Sequence, residues 1–214
     1  MKNTFKSCDL VKKHLPCMLK RVFDILVSAS MIIILLPIEM IIALIIYFED
    51  RESVLFRQKR VGMNQKPFIL YKFRSMSSNK ISAHGTFDAG DQSRVTRIGK
   101  VLRKTKLDEL PQLFNVLIGD MSLVGPRPEV KKWVDIYPQQ WAFVLSVKPG
   151  ITDNAAILYR NEEEILAKVM NPEMHYKEII LPQKLNLYRD YILNHSFTGD
   201  ILIIFRTLFL IIKK

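Results

Sequence analysis

From Ile25 to Phe48 the chain runs through 24 residues whose only charge is Glu39. As a straight helix that run extends about 36 Å, enough to cross the hydrocarbon core of a bilayer. Three features set it apart from a simple crossing. Pro37 interrupts it near the middle, removing a backbone donor and favouring a kink. Glu39, close behind, would be expensive at the bilayer centre. Both flanks are basic, Lys20 and Arg21 before and Arg51, Arg57, Lys59 and Arg60 after, so the charge asymmetry expected across a span is missing. The sequence therefore predicts a re-entrant membrane helix over residues 20–50, broken at Leu36–Pro37, that returns to the side it entered. The run ends in Glu49-Asp50-Arg51-Glu52 without a small-residue cleavage site, unlike a signal peptide.

The chain has 214 residues, a formal net charge of +11 and 49% hydrophobic residues. That pairing suits a protein resting on anionic membrane phospholipid and handling phosphorylated molecules. Nucleic acid is not the expected partner, because the basic residues are dispersed among aliphatic runs and no zinc-ligand pattern accompanies them. Cys8 and Cys17 read as free thiols in a reducing compartment. Ile201–Ile212 is apolar but too short to span as a helix; with Arg206 able to snorkel, it is expected to lie in the interface as an amphipathic helix, a buried core helix being the alternative.

Val54–Met76 reads as a β-hairpin, two runs rich in β-branched and aromatic residues joined by the turn-forming "GMNQKP". Residues 77–93 are polar and read as a loop, and "TRIGKVLRK" as a short basic helix. Leu110, Leu113, Phe114 and Leu117 follow the spacing of a second helix ended by Gly119. "VGPRPEV" reads as a rigid turn, with helices resuming around Glu129–Leu145 and Glu162–Lys168. No repeat, Rossmann or P-loop glycine pattern is present. The expected fold is α+β, predominantly helical with one small β-hairpin. Its parts are a polar N-terminal segment (1–19), the re-entrant helix (20–50), a cytoplasmic domain (51–198) and the interfacial helix (199–214).

Asp108 and Glu109, just before Pro111, fit a helix start with Asp108 as N-cap and Glu109–Pro111 as the first turn. The helix dipole would keep both acids ionised. Arg103, Lys104 and Lys106 precede the pair and Gly125-Pro126-Arg127-Pro128 follows. An arginine fixed between prolines loses little entropy on gripping a phosphate, which guanidinium binds bidentately. Carboxylates beside such a clamp have two uses, holding a divalent metal or attacking phosphorus, and spacing alone leaves both open.

The order "KRVFDI…P…FRQKRVG…PFILYKFRSM…TRIGKVLRKTKLDELPQLFNVLIGDMSLVGPRP…KPGIT" resembles the bacterial sugar transferases, the monotopic phosphoglycosyl transferases, from about Lys20 to Thr152. The resemblance implies an enzyme that moves a phosphosugar from a UDP-sugar to undecaprenyl phosphate, releasing UMP, at the first membrane step of a glycoconjugate pathway. It implies Asp108 as nucleophile carrying a covalent phosphosugar, Glu109 as its dyad partner, and Mg2+ held by Asp108 and Glu109. Arg127 with Pro128 falls on the family's phosphate clamp, and Arg160 on the arginine of a further motif. Lys59, Arg60, Lys72 and Arg74 on the hairpin are weaker candidates, their alternative being solvated bases facing acidic lipid. The implied location is the bacterial inner membrane with the catalytic domain in the cytoplasm, as a minimal catalytic form, monomeric or homo-oligomeric. Leu36-Pro37 stands where the family often has Ser-Pro, and Asp153-Asn154-Ala155-Ala156 where many members read Gly-Trp-Ala-Gln. A non-catalytic scaffold binding anionic lipids is the alternative. The donor sugar and the pathway are left open.

Overall fold

The computed structural model describes residues 17–77 and 94–213. Most of the polar segment expected at the N-terminus, with Cys8, and nearly all of the loop expected at 77–93 lie outside the described residues.

Helix α1 (Cys17–Asp50) carries the apolar run and continues through Pro37. Its buried positions form one stripe, Asp24, Ser28, Glu39, Ile42 and Ile46, at spacings that keep one helical face inward. Glu39 is only 7% exposed, so the lone acid of the run faces the protein rather than the surroundings. Around it Ile33, Ile34, Met40, Ile41, Leu44 and Phe48 are exposed.

The hairpin forms where expected, as antiparallel strands β1 (Leu55–Val61) and β2 (Pro67–Phe73). Its turn relies on Asn64 and Gln65 at positive φ. Asn115, fully buried, closes the free edge of β2 as a strand would: its amide donates to the Ile69 carbonyl at 2.7 Å and its oxygen accepts from Tyr71 N at 3.1 Å. Helix α2 (Arg97–Thr105) is capped by Thr96, and Glu49 Oε1 also accepts from its first amides, Arg97 N at 2.9 Å and Ile98 N at 3.4 Å. Lys106 in left-handed conformation (φ 60°) then turns the chain into a 3-10 turn, Leu107–Glu109, before helix α3 (Gln112–Ile118).

The sequence gives no hint of a second sheet, yet β3 (Ser122–Val124) and β4 (Gly150–Thr152) pair in parallel. Strands of this length carry no periodicity of their own; what makes room for them is a close backbone approach, since a Cβ on Gly150 would lie 2.1 Å from Gly125 N. The helix expected over Glu129–Leu145 is two, α4 (Lys131–Val134) and α5 (Pro138–Val144), because Pro138 cannot continue a helix and starts the next one. Short helices α6 (Asn154–Leu158), α7 (Glu162–Leu166) and α8 (Pro172–His175) follow. A π-helical turn, Tyr176–Ile180, leads into α9 (Leu181–Asn194), and Ser196 caps α10 (Phe197–Ile212). In α10 Ile203 is buried while Leu202, Phe205, Leu208 and Phe209 are exposed, so one helix packs with one face and leaves an apolar face uncovered.

Both ends of α1 are tied to this body. Near its start, Lys20 Nζ donates to the Val124 carbonyl at 3.1 Å and pairs with Asp200. Arg21 donates to the Val116 and Leu117 carbonyls at 2.6 and 2.9 Å, at the end of α3, where carbonyls run short of helical partners. Leu123 N donates to Asp24 Oδ1 at 3.2 Å. Near its end, Ile42 and Ile46 pack with Phe73 and Leu102. Leu110 touches the clusters at both ends, so the two anchorages belong to one packed unit.

Candidate active site

Three short segments converge on one polar cluster. On the hairpin, register and alternation put Arg60 and Lys72 on the same face, with Phe68 and Leu70 between them buried as the floor. The 3-10 turn supplies Asp108 and Glu109, and the turn after β3 supplies Arg127, Pro128 and Glu129.

Glu109 is the hub. Arg127 grips it with two nitrogens, Nη1 to Oε2 at 3.1 Å and Nη2 to Oε1, and Lys72 Nζ donates to Oε1 at 3.1 Å. Burial alone would raise the Glu109 carboxyl, but Arg127 and then Lys72 hold it well below the usual carboxylate range. Lys72 is itself pushed down by burial, against the pull of Glu109. A second knot lies beside the first: Arg60 donates at 3.1 Å to both Glu129 Oε2 and the Pro128 carbonyl, and the Tyr176 hydroxyl donates to Glu129 Oε1. Pro128 is thus buried as a backbone acceptor that fixes Arg60. Of these three paired cations in the cluster, Arg127 keeps the most exposure, 30% of its side chain against 20% for Lys72 and 19% for Arg60.

Asp108 differs from its neighbour in every respect. It is 7% exposed, and its Oδ1 is buried without a hydrogen-bond partner. Burial raises its carboxyl above the usual range, Lys72 opposes this, and the charge of Glu109 adds to it. Two corrections follow. Asp108 is not the cap of α3: it sits inside the 3-10 turn and the residue before α3 is Pro111, because left-handed Lys106 starts a separate turn first. Nor does one helix dipole act alike on both acids: cations hold Glu109 below the usual carboxylate range, while burial raises Asp108. Adjacent carboxyls driven apart in this way are suited to different roles.

The structure places the other expected residues as follows. Lys59, on the opposite hairpin face, is exposed. Arg74 is buried and pairs with Glu52. Arg160 lines a shallow cavity with Asn161, Glu164 and Lys168. Arg60 and Lys72, by contrast, bond directly to acids of the cluster, Glu129 and Glu109. Glu129, Tyr176 and Asn115 escaped sequence reasoning; the acid directly after the Pro-Arg-Pro turn was the one available signal. As to a metal, the free buried oxygen of Asp108 fits a hard cation, while both oxygens of Glu109 are taken by Arg127 and Lys72. No cluster of three or more His, Cys, Asp or Glu gathers among the described residues, so protein alone does not form a cage there.

Two unlike carboxyls thus share one cluster with Arg127, Lys72 and Arg60. A family model for bacterial sugar transferases matches residues 15–214, and the chain belongs to that family. It is 36% identical over 205 residues to a UDP-N-acetylgalactosamine-undecaprenyl-phosphate N-acetylgalactosaminephosphotransferase of Aeromonas hydrophila, covering 94% of this chain and 45% of that one. It is 39% identical over 194 residues to a UDP-glucose:undecaprenyl-phosphate glucose-1-phosphate transferase of Klebsiella pneumoniae, covering 89% and 39%. It is 32% identical to an exopolysaccharide production protein, ExoY, of Rhizobium meliloti, covering 89% and 84%. The chain therefore spans less than half the length of the first two relatives and most of the third.

Proposed function

We propose that this protein is a phosphoglycosyl transferase that moves a phosphosugar from a UDP-sugar to undecaprenyl phosphate by double displacement. The observation that carries this reading is the opposed state of the two carboxyls, Glu109 clamped by Arg127 and Lys72, Asp108 left with a free oxygen. An oxygen of ionised Asp108 attacks the β-phosphorus of the donor. The bond from that phosphorus to the bridging oxygen breaks, UMP leaves with that oxygen, and Asp108 holds an acyl phosphosugar. A phosphate oxygen of undecaprenyl phosphate then attacks the same phosphorus, breaking the Asp108–phosphorus link and restoring the carboxylate. Arg127, more exposed than Lys72 or Arg60, takes the donor phosphate, and Glu109 keeps Arg127 and Lys72 in place between turnovers. Asp108, whose buried Oδ1 is free while both Glu109 oxygens are occupied, would hold Mg2+, which would supply charge neutralisation for the diphosphate.

Release of UMP from UDP-glucose, UDP-galactose or UDP-N-acetylgalactosamine in the presence of undecaprenyl phosphate tests the reading. Salt-sensitive liposome binding without UMP release from any of a wider donor panel would instead mean a lipid-binding scaffold. The pH profile is a sharper check. Attack requires the carboxylate, so kcat/KM should rise with pH through the raised pKa of free-enzyme Asp108, and its acid limb should lie above the usual aspartate value of about 3.9. An acid limb at or below that value would contradict the assignment.

The re-entrant course of α1 belongs to the same proposal. A spanning helix holds its ends on opposite sides of a core about 30 Å thick, whereas here Arg21 and Ile46 anchor on one packed unit. With the middle of α1 and the apolar face of α10 in the inner leaflet, the site lies at headgroup level on the cytoplasmic side of the inner membrane. Single cysteines near Lys20 and Arg57 should then react with an impermeant reagent from the same side of oriented vesicles. Labelling from opposite sides would establish a span.

A further inference from the structure

Asp153 is the most deeply buried carboxylate outside the dyad, 1% exposed, and half of it is idle. Its Oδ1 accepts from Ala155 N and from Ala156 N at 2.9 Å, capping α6, while its Oδ2 is buried with no hydrogen-bond partner. Its place in the fold is specific. β3 and β4 run side by side, Gly125 N donates to the Thr152 carbonyl at 3.1 Å, and Gly150 N donates to the Pro126 carbonyl at 3.0 Å. Asp153 directly follows β4, and Arg127 comes two residues after Gly125, whose amide is bonded to the residue before Asp153. The charged and phenolic groups that Asp153 acts on include Arg127, Lys184, Tyr188 and Tyr191. Lys184 already pairs with Glu162, so Arg127 is the cation whose partner must change during turnover.

A capping role alone needs one oxygen and no charge; asparagine and serine cap as well as aspartate. Burying a charged carboxylate with an unused oxygen is costly unless the charge has an electrostatic use. Arg127 cannot grip a donor phosphate with nitrogens that remain on Glu109. We propose that Asp153 is a positioning residue for Arg127, an uncontacted second anion that keeps the guanidinium over the site once the donor phosphate has drawn it off Glu109. This rests on the transferase reading above. Each of the pair also shifts the other's ionisation, Asp153 raising Arg127 and Arg127 opposing the burial-driven rise of Asp153.

The test is steady-state kinetics of the full chain in detergent with the UDP-sugar that wild type turns over. Asp153→Asn keeps the cap and removes the charge, so its melting temperature should match or exceed wild type while its KM for the UDP-sugar rises about tenfold and kcat changes little. Asp153→Ser, which also caps, should give the same KM. In an Arg127→Ala background Asp153→Asn should add nothing, because the residue it positions is gone. Wild-type KM in both capping variants overturns the proposal, as do effects that multiply in the double variant. If both variants fail to fold, the role is structural and the proposal falls. Absence of UMP release from wild type overturns the transferase reading and this one with it, whereas normal wild-type turnover with unaffected variants overturns only the role of Asp153.

Discussion

Asp108→Asn is expected to remove transfer almost completely, by about 10^4-fold or more, while leaving the protein as stable as wild type or more so. The two effects have separate causes. The amide nitrogen and carbonyl of asparagine cannot make an acyl phosphate by attack on phosphorus, so the first displacement has no nucleophile. Stability follows from the sign of the pKa shift. Asp108 is raised in the folded protein, so above both its pKa values the folded state bears an ionisation that the unfolded chain accommodates more easily. Its charge thus weakens folding at neutral pH, and that penalty fades as pH falls. Removing the charge removes the penalty. A gain of about 1 kcal/mol would raise the midpoint by about 2–4 °C for a domain of this size. Thermal melts and UMP release measured on one preparation check both halves. Wild-type turnover would remove Asp108 from the chemistry, and a large fall in midpoint would show that it holds the fold together.

Glu109→Gln is expected to act in the opposite sense on stability. Glu109 is largely buried and balances Arg127 and Lys72 at once, and losing one partner of a buried ion pair strands the other charges at about 3–5 kcal/mol. Here the folded pKa lies well below the unfolded value. Stability from this group is therefore complete above about pH 4.5 and is lost as pH falls through the folded value. Denaturant titrations of wild type and Glu109→Gln should show a wide gap at pH 7 that narrows in acid. A gap independent of pH would mean that packing, not charge, is what Glu109 provides. Transfer should also fall, since an unrestrained Arg127 no longer waits in the donor's path.

The parts of this molecule that were legible in its sequence are those whose cause is local. The apolar length of Ile25–Phe48, the β-branched and aromatic runs and turn residues of the hairpin, and the short basic helix of "TRIGKVLRK" each speak within a few residues. What was not legible depends on distant partners. Three-residue strands β3 and β4 exist because Gly125 and Gly150 let two backbones touch, and neither glycine signals this alone. Asn115 looks like an ordinary helical polar residue until it is seen bonding β2. The adjacent acids Asp108 and Glu109 stand out in the sequence but their local setting does not, because proline after two acids suits an N-cap and the left-handed Lys106 that makes a separate turn leaves no mark in composition. Among the basic candidates, spacing could not separate Lys72, turned inward, from Lys59, turned out, without the register that fixes which face is buried.

The central claim is that Asp108 carries the phosphosugar between the two half-reactions. Intact-mass measurement of the wild-type chain after exposure to its UDP-sugar, with Mg2+ and without undecaprenyl phosphate, addresses it directly. The expected result is a mass gain of one phosphosugar, mapped by peptide to Asp108, absent from Asp108→Asn, and discharged when undecaprenyl phosphate is added. UMP release that requires undecaprenyl phosphate while the protein stays unmodified, or an adduct on any other residue, would contradict it.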